Sequence, residues 1–194
     1  MILASTSPRR KILLEEAGFF FLSHPKKVSE IIDETLNLDE ALMDLAQKKA
    51  QATRDDSKWV KEKEILILAA DTVVSLDGKI LGKPLTKVEA RDFLTRLSGR
   101  EHDVKTAVAL WSSRDQKWNR FCETTRVFFK KLSATDIEKY ISTDEPYDKA
   151  GGYGIQGQAQ GFVEKIVGSY SNVVGLPMER LKQVLRENGW NIDR

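Results

Sequence analysis

Hydrophobic positions fall in short blocks separated by polar breaks marked with glycine or proline, and the period of each block predicts its element. Met1–Ala4 is a short apolar run that reads as a strand. In Pro8–Ala17, Ser7 is placed as an N-cap, Pro8 takes the first helical position and Gly18 the C-terminal stop, so a helix of about three turns is expected. Phe19–His24 predicts a strand ended by Pro25. Lys26–Asn37 is a polar loop. Leu38–Arg54 has helical spacing, with Leu38, Leu42, Leu45, Ala46 and Ala50 on one face. Glu64–Leu76 is an apolar strand that turns at Asp77-Gly78 and returns as Lys79–Leu81. Thr86 caps a helix through Leu97, and Glu89 stands where a capping box requires it. Val104–Trp111 and Arg120–Phe129 predict strands, Ser133 opens a helix to about Ser142, a strand lies near Phe162–Val167, and a last helix runs from Pro177 to Gly189. Hairpins interspersed with helices predict an α/β class with a mixed sheet.

The first helix breaks a local rule. Its first turn carries Arg9, Arg10 and Lys11 and its last carries Glu15 and Glu16, whereas the helix dipole favours the opposite placement. Surface cations tolerate such positions at a cost of a few tenths of a kcal/mol to about one. The alternative is an anion that completes the site: backbone N–H groups, the Ser5 and Ser7 hydroxyls and two guanidinium groups after a strand make a phosphate site on a strand–turn–helix unit. On that reading the helix itself should not need Arg10.

A second irregularity is Asp71, inside the apolar run Ile65–Val74. A carboxylate there must be paired, hydrogen-bonded, protonated or metal-bound. Near a phosphate site it would hold Mg²⁺, or orient or deprotonate an attacking water. The plainer alternative is that Asp71 ends the strand and caps a neighbouring turn, but Thr72-Val73-Val74 continue the strand. Glu34 is a candidate second carboxylate, although alone it reads as a solvated loop residue. Lys83 follows Gly82 and precedes Pro84, and Lys49 sits beside Lys48 on the second helix; each alone reads as a surface lysine. Five of the 12 glycines lie between Gly151 and Gly161. That segment is a mobile turn region, or else a loop whose backbone approaches a ligand, with Gln156 offering a donor and an acceptor that match N3–H and a carbonyl of uracil or thymine.

Charge and composition narrow the class. The formal net charge is +2, too small for a dedicated nucleic-acid or anionic-membrane binder. The single cysteine, Cys122, permits no internal disulfide and suits a reducing compartment. The first apolar run is short for a signal peptide and no run reaches the ~18 residues of a membrane span, so a cytoplasmic protein is expected. His24 and His102 are far apart, and no serine or cysteine has a triad's surroundings. Trp59, Trp111, Trp118 and Trp190 do not interleave with basic residues and read as core or interface residues.

Taken together, Ala4-Ser5-Thr6-Ser7-Pro8-Arg9-Arg10, Asp33-Glu34-Thr35, Leu45–Ala50, Ala70–Val74, Gly82-Lys83-Pro84, Thr106-Ala107-Val108, Asp148–Gly157 and Gly168–Pro177 resemble the Maf family of nucleoside triphosphate pyrophosphatases, in order and spacing, over nearly the whole length. The resemblance implies one two-lobed domain over residues 1–194. It would be an α/β fold with an elongated mixed sheet flanked by helices, similar to inosine triphosphatases, with the active site in the cleft. It implies hydrolysis of a nucleoside triphosphate between the α and β phosphates, dependence on a divalent cation (Mg²⁺, Mn²⁺ or Co²⁺), and often a homodimer, while the charge and composition leave no nucleic-acid or membrane partner expected. By position, Asp71 looks like the catalytic carboxylate, Glu34 like its partner at the metal, and Ser7, Arg10, Lys49 and Lys83 like phosphate ligands. Arg9, Thr72 and Gln156 match the branch acting on thymidine and uridine triphosphates. The rival expectation is a nucleotide-sensing or cell-division regulatory protein without activity. Asp71 speaks against it, because binding phosphates gains nothing from a nearby carboxylate.

Overall fold

Residues 1–33, 35–56 and 64–190 are described by a computed structural model of the chain. Glu34 and Trp59 lie outside the described residues. The elements are β1 (Ile2–Leu3), α1 (Pro8–Glu16), β2 (Leu22–Ser23), α2 (Leu38–Arg54), β3 (Leu66–Leu76), β4 (Lys79–Leu81), α3 (Lys87–Leu97), β5 (Glu101–Ser112), β6 (Lys117–Phe129), α4 (Ala134–Ile141), β7 (Val163–Val167), α5 (Tyr170–Val174) and α6 (Met178–Glu187), with short 3-10 turns between α4 and β7. The strands form a mixed sheet in the order β2-β1-β3-β5-β6-β7, with β4 on β3. β1 pairs in parallel with β2 and β3, and β7 pairs antiparallel with β6. The α/β class with a mixed sheet is as the pattern predicts.

The chain divides into two compact units: residues 1–71, 106–123 and 175–194, and residues 72–105 and 124–174. Each has its own core. In the first, Leu3, Leu14, Leu68, Val108, Leu110, Leu176, Leu181 and Leu185 are buried together. In the second, Val74, Leu81, Leu94, Leu97, Val127, Phe129, Tyr140 and Ile141 are.

Local chemistry explains the elements. Ser7 caps α1 and its hydroxyl accepts from the Arg10 amide at 3.4 Å, with Pro8 at the first turn. Asp77 and Gly78 turn the β3–β4 hairpin with φ of 52° and 74°, the left-handed pair that a two-residue hairpin needs. Thr86 caps α3 as expected, but the Glu89 carboxylate accepts from the Leu85 amide at 2.6 Å instead of closing on Thr86. The reciprocal capping box stands at α4, between Ser133 and Asp136. Strand β2 is shorter than Phe19–His24, since its parallel partner β1 ends after Leu3 where the chain enters α1. Strands β5 and β6 are longer than their apolar stretches: the ladder continues through Glu101, buried His102 and Asp103 at the start of β5, and through exposed Lys117 and half-buried Trp118 and Asn119 at the start of β6.

Candidate active site

Strand β3 is buried along its length except at Asp71 and Thr72, which are half-buried. The side chain of Asp71 is 15% exposed, and its Oδ1 accepts from Lys49 Nζ at 2.5 Å. Lys49 reaches it from α2, whose buried face carries Leu45 and Ala46. Being four residues after Leu45 and three after Ala46, Lys49 leans to that face and is 14% exposed. Lys48, one position earlier, is 53% exposed and pairs with Asp44 along the helix. The neighbouring lysines therefore have different environments, and the solvated-face reading holds for Lys48 alone.

Lys49 Nζ also lies 2.7 Å from Glu30 Oε1, on the loop before α2. One ammonium thus holds two carboxylates, one half-buried and one 64% exposed. Glu30 carried no sequence signal, because nothing in a polar loop marks which carboxylate will reach a lysine in another element. Among the described residues, Asp71 Oδ2 has no hydrogen-bond partner.

At the start of α1, the Arg10 guanidinium turns back along its own turn. Nε donates to the Gly175 carbonyl at 2.8 Å and Nη1 to the Ser5 hydroxyl at 3.2 Å. The Ser5 hydroxyl also accepts from the Ser7 amide at 3.2 Å. Burial holds the Arg10 pKa below its ordinary value, Arg9 adds to this, and the charges of Asp71 and Glu30 oppose it. Part of the expected anion cradle is therefore satisfied internally, and Arg10 has a structural function as well. The reason is that its long side chain meets a carbonyl supplied from far along the sequence.

Gln156 and Lys83 are exposed, both in the second unit, as is half-buried Thr72. The Gly151 amide donates to the Gly82 carbonyl at 2.9 Å, tying the glycine-rich loop to the residue before Lys83. Gly151 has φ +69°, and a Cβ there would stand 2.8 Å from Val74 Cγ2, so only glycine fits. The loop is a series of 3-10 turns over Glu145–Asp148, Ala150–Gly152 and Gln158–Phe162. Trp111 and Trp118 are not core residues: both rings face the Arg54 guanidinium, at 5.7 and 5.8 Å.

The family model described as Maf-like protein matches residues 1–188. The chain belongs to the Maf family. Within the family it is 46% identical to the dTTP/UTP pyrophosphatase of Bdellovibrio bacteriovorus, over 95% of this chain and 96% of that one. It is also 46% identical to proteins of the same name from a Geobacillus species, over 98% of both chains, and from Halalkalibacterium halodurans, over 98% and 97%.

A divalent cation is implied by the Maf resemblance, and the donors present suit a hard ion. Asp71 Oδ1 and Glu30 Oε1 already bracket one cationic centre, the Lys49 ammonium, and carboxylate oxygens are the ligands Mg²⁺ prefers when substrate phosphates complete its shell. Among the described residues no three His, Cys, Asp or Glu side chains cluster as a ready-made metal cage.

Proposed function

We propose that this Maf-family chain hydrolyses dTTP and UTP between the α and β phosphates, with the whole chain acting as one catalytic domain. The observation that carries the reading is the Asp71 carboxylate, held half-buried by Lys49 at the one break in the burial of β3. The names of the relatives point to the same pyrimidine substrates.

Water attacks the α phosphorus, the bond to the bridging oxygen breaks, and pyrophosphate leaves. Asp71 Oδ1 stays on Lys49, while Oδ2 aligns the water and takes its proton. Lys49, Lys83 and Arg10 offset the negative charge of the triphosphate as the bond breaks, and the Ser7 hydroxyl donates to a phosphate oxygen. Asp71 and Glu34 would hold the divalent cation, with Mg²⁺, Mn²⁺ and Co²⁺ the candidates; it supplies further neutralisation of phosphate charge. Gln156 reads the base edge, and Arg9 and Thr72 complete the pyrimidine preference. The proposed setting is cytoplasmic, since a single cysteine, Cys122, suits a reducing compartment.

The test is pyrophosphate release from dTTP, UTP, CTP, GTP and 7-methyl-GTP with each cation. Faster hydrolysis of dTTP and UTP than of the others is the expected result. Binding of triphosphate with no pyrophosphate released under any cation would overturn the reading.

A further inference from the structure

A glutamine amide by itself does not tell uracil from cytosine. Its carbonyl and amino group match N3–H and O4 of uracil in one orientation. Flipped by a half-turn, they match N3 and the N4 amino group of cytosine. Discrimination needs an amide whose position and direction are imposed by its surroundings, and the structure supplies a device for this in the second unit.

Gln156 stands between Gly154 and Gly157, and both glycines lie directly on charged side chains. A Cβ on Gly157 would come 2.0 Å from Glu145 Oε1, and one on Gly154 would come 2.6 Å from Lys149 Cε. The Glu145 carboxylate bridges two elements. Its Oε1 accepts from the Tyr140 hydroxyl of α4 at 3.2 Å, and its Oε2 accepts from the Gln158 amide at 3.0 Å, two residues past Gln156. Tyr140 is buried in the core against Phe162, and burial together with the Glu145 charge raises its pKa, so the phenol remains a donor. Lys149 Nζ donates to the Glu145 carbonyl at 2.7 Å, which fixes the backbone from which the carboxylate projects. A rigid helix, a carboxylate and the loop amide are thereby connected in series. Charge-assisted bonds of this kind are stronger than neutral ones.

We infer that Glu145 is the positioning residue for base selection: it fixes the loop Gly154–Gln158 and so the direction in which Gln156 presents its amide. This rests on the reading of Gln156 as the group that meets the base. Without Glu145 the loop gains freedom, the amide adopts both orientations, and selection between uracil and cytosine falls while the phosphate contacts persist.

The experiment compares kcat/KM for UTP and CTP in Glu145→Ala, Glu145→Gln, Gly157→Ala and Gln156→Glu. Inorganic tripolyphosphate serves as a competitive inhibitor without a base, and amide exchange at Gln158 reports the loop. Glu145→Ala should lower the UTP-to-CTP ratio about tenfold, leave tripolyphosphate inhibition unchanged and speed exchange at Gln158. Glu145→Gln should keep most of the ratio, because its carbonyl still accepts from the Gln158 amide and its amino group can donate to the Tyr140 oxygen. Gly157→Ala, which forces the carboxylate aside without touching it chemically, should reproduce the fall, and it carries the test if Glu145→Ala does not fold. An unchanged ratio in Glu145→Ala or Gly157→Ala, beside an altered one in Gln156→Glu, would overturn the role of Glu145 and leave Gln156 as the base reader. A ratio unchanged in Gln156→Glu itself would overturn the base reading and this inference with it. An equal loss on both nucleotides with weaker tripolyphosphate inhibition would show a purely structural role and also overturn it.

Discussion

Lys49 Nζ stands 2.5 Å from Asp71 Oδ1, joining the middle of α2 to the one half-buried stretch of β3. The pair gives each half-buried group a charged partner, and a polar group taken out of water without a partner is costly. It also places a cation beside the carboxylate before any triphosphate arrives.

Asp71→Asn should therefore abolish turnover with little change in fold. The amide keeps the shape and a carbonyl for Lys49, and Glu30 still neutralises the ammonium. The negative charge and the proton acceptor are lost, and kcat is expected to drop by about 10²–10⁴-fold. Pyrophosphate release together with equilibrium binding of UTP checks this. Near-normal release would remove Asp71 from the chemistry.

Arg10→Ala should affect stability as well as binding. Two guanidinium bonds, to the Gly175 carbonyl and the Ser5 hydroxyl, disappear. Hydrogen bonds from charged groups contribute enough that a loss of about 2 kcal/mol is expected, seen as a fall in Tm of about 4–8 °C without ligand. Arg10→Lys keeps the charge but not the fork, so it should recover part of the triphosphate affinity and little of the Tm. A wild-type Tm for Arg10→Ala would show that these bonds contribute nothing to the fold.

Acid should weaken the second core through His102. The ring is 4% exposed, its Nε2 is 2.7 Å from the Tyr153 hydroxyl, and it meets Phe129 edge-on. Burial pulls its pKa down to about 4 from an ordinary 6.5. Below the ordinary value the unfolded chain takes up a proton that the folded chain does not accept until near the lowered one. The contribution is thus complete above pH 6.5 and is lost as pH falls toward 4, by about 3 kcal/mol at most. Urea unfolding of wild type and His102→Gln across this window measures it. The variant should lose less stability on acidification, and parallel curves would show that His102 is not the group responsible.

Gln156→Glu replaces a donor and an acceptor with two acceptors. One carboxylate oxygen would then face a base carbonyl, and kcat/KM on UTP and dTTP should fall by about 10²-fold or more. Guanine nucleotides should lose less, since N1–H and the N2 amino group present two donors. Arg9 and Thr72 remain, so the preference should not invert fully. The same nucleotide panel run on both proteins decides it, and an unchanged ranking would show that Gln156 does not meet the base.

Much of this protein was determined by its sequence. Periodicity and capping residues are local, so α1 with its Ser7 cap, α2 over Leu38–Arg54 and the Asp77-Gly78 hairpin follow from neighbours a few positions apart. Asp71 is visible for the same reason, as one charge in an apolar run. Tertiary structure decided which partner each charged group takes. Lys49 differs from Lys48 only by the side of α2 it leans to, Glu30 becomes a ligand of Lys49 only because its loop passes that helix, and Arg10 acquires the Gly175 carbonyl from 165 positions away. Glycine-rich segments show the same limit: the sequence determined that Gly154 and Gly157 lack side chains, and the packing of Lys149 and Glu145 against them decided why they must. Local propensity acts over one turn of chain, whereas the pairing of a charge depends on which distant groups the buried core brings within about 3 Å of it.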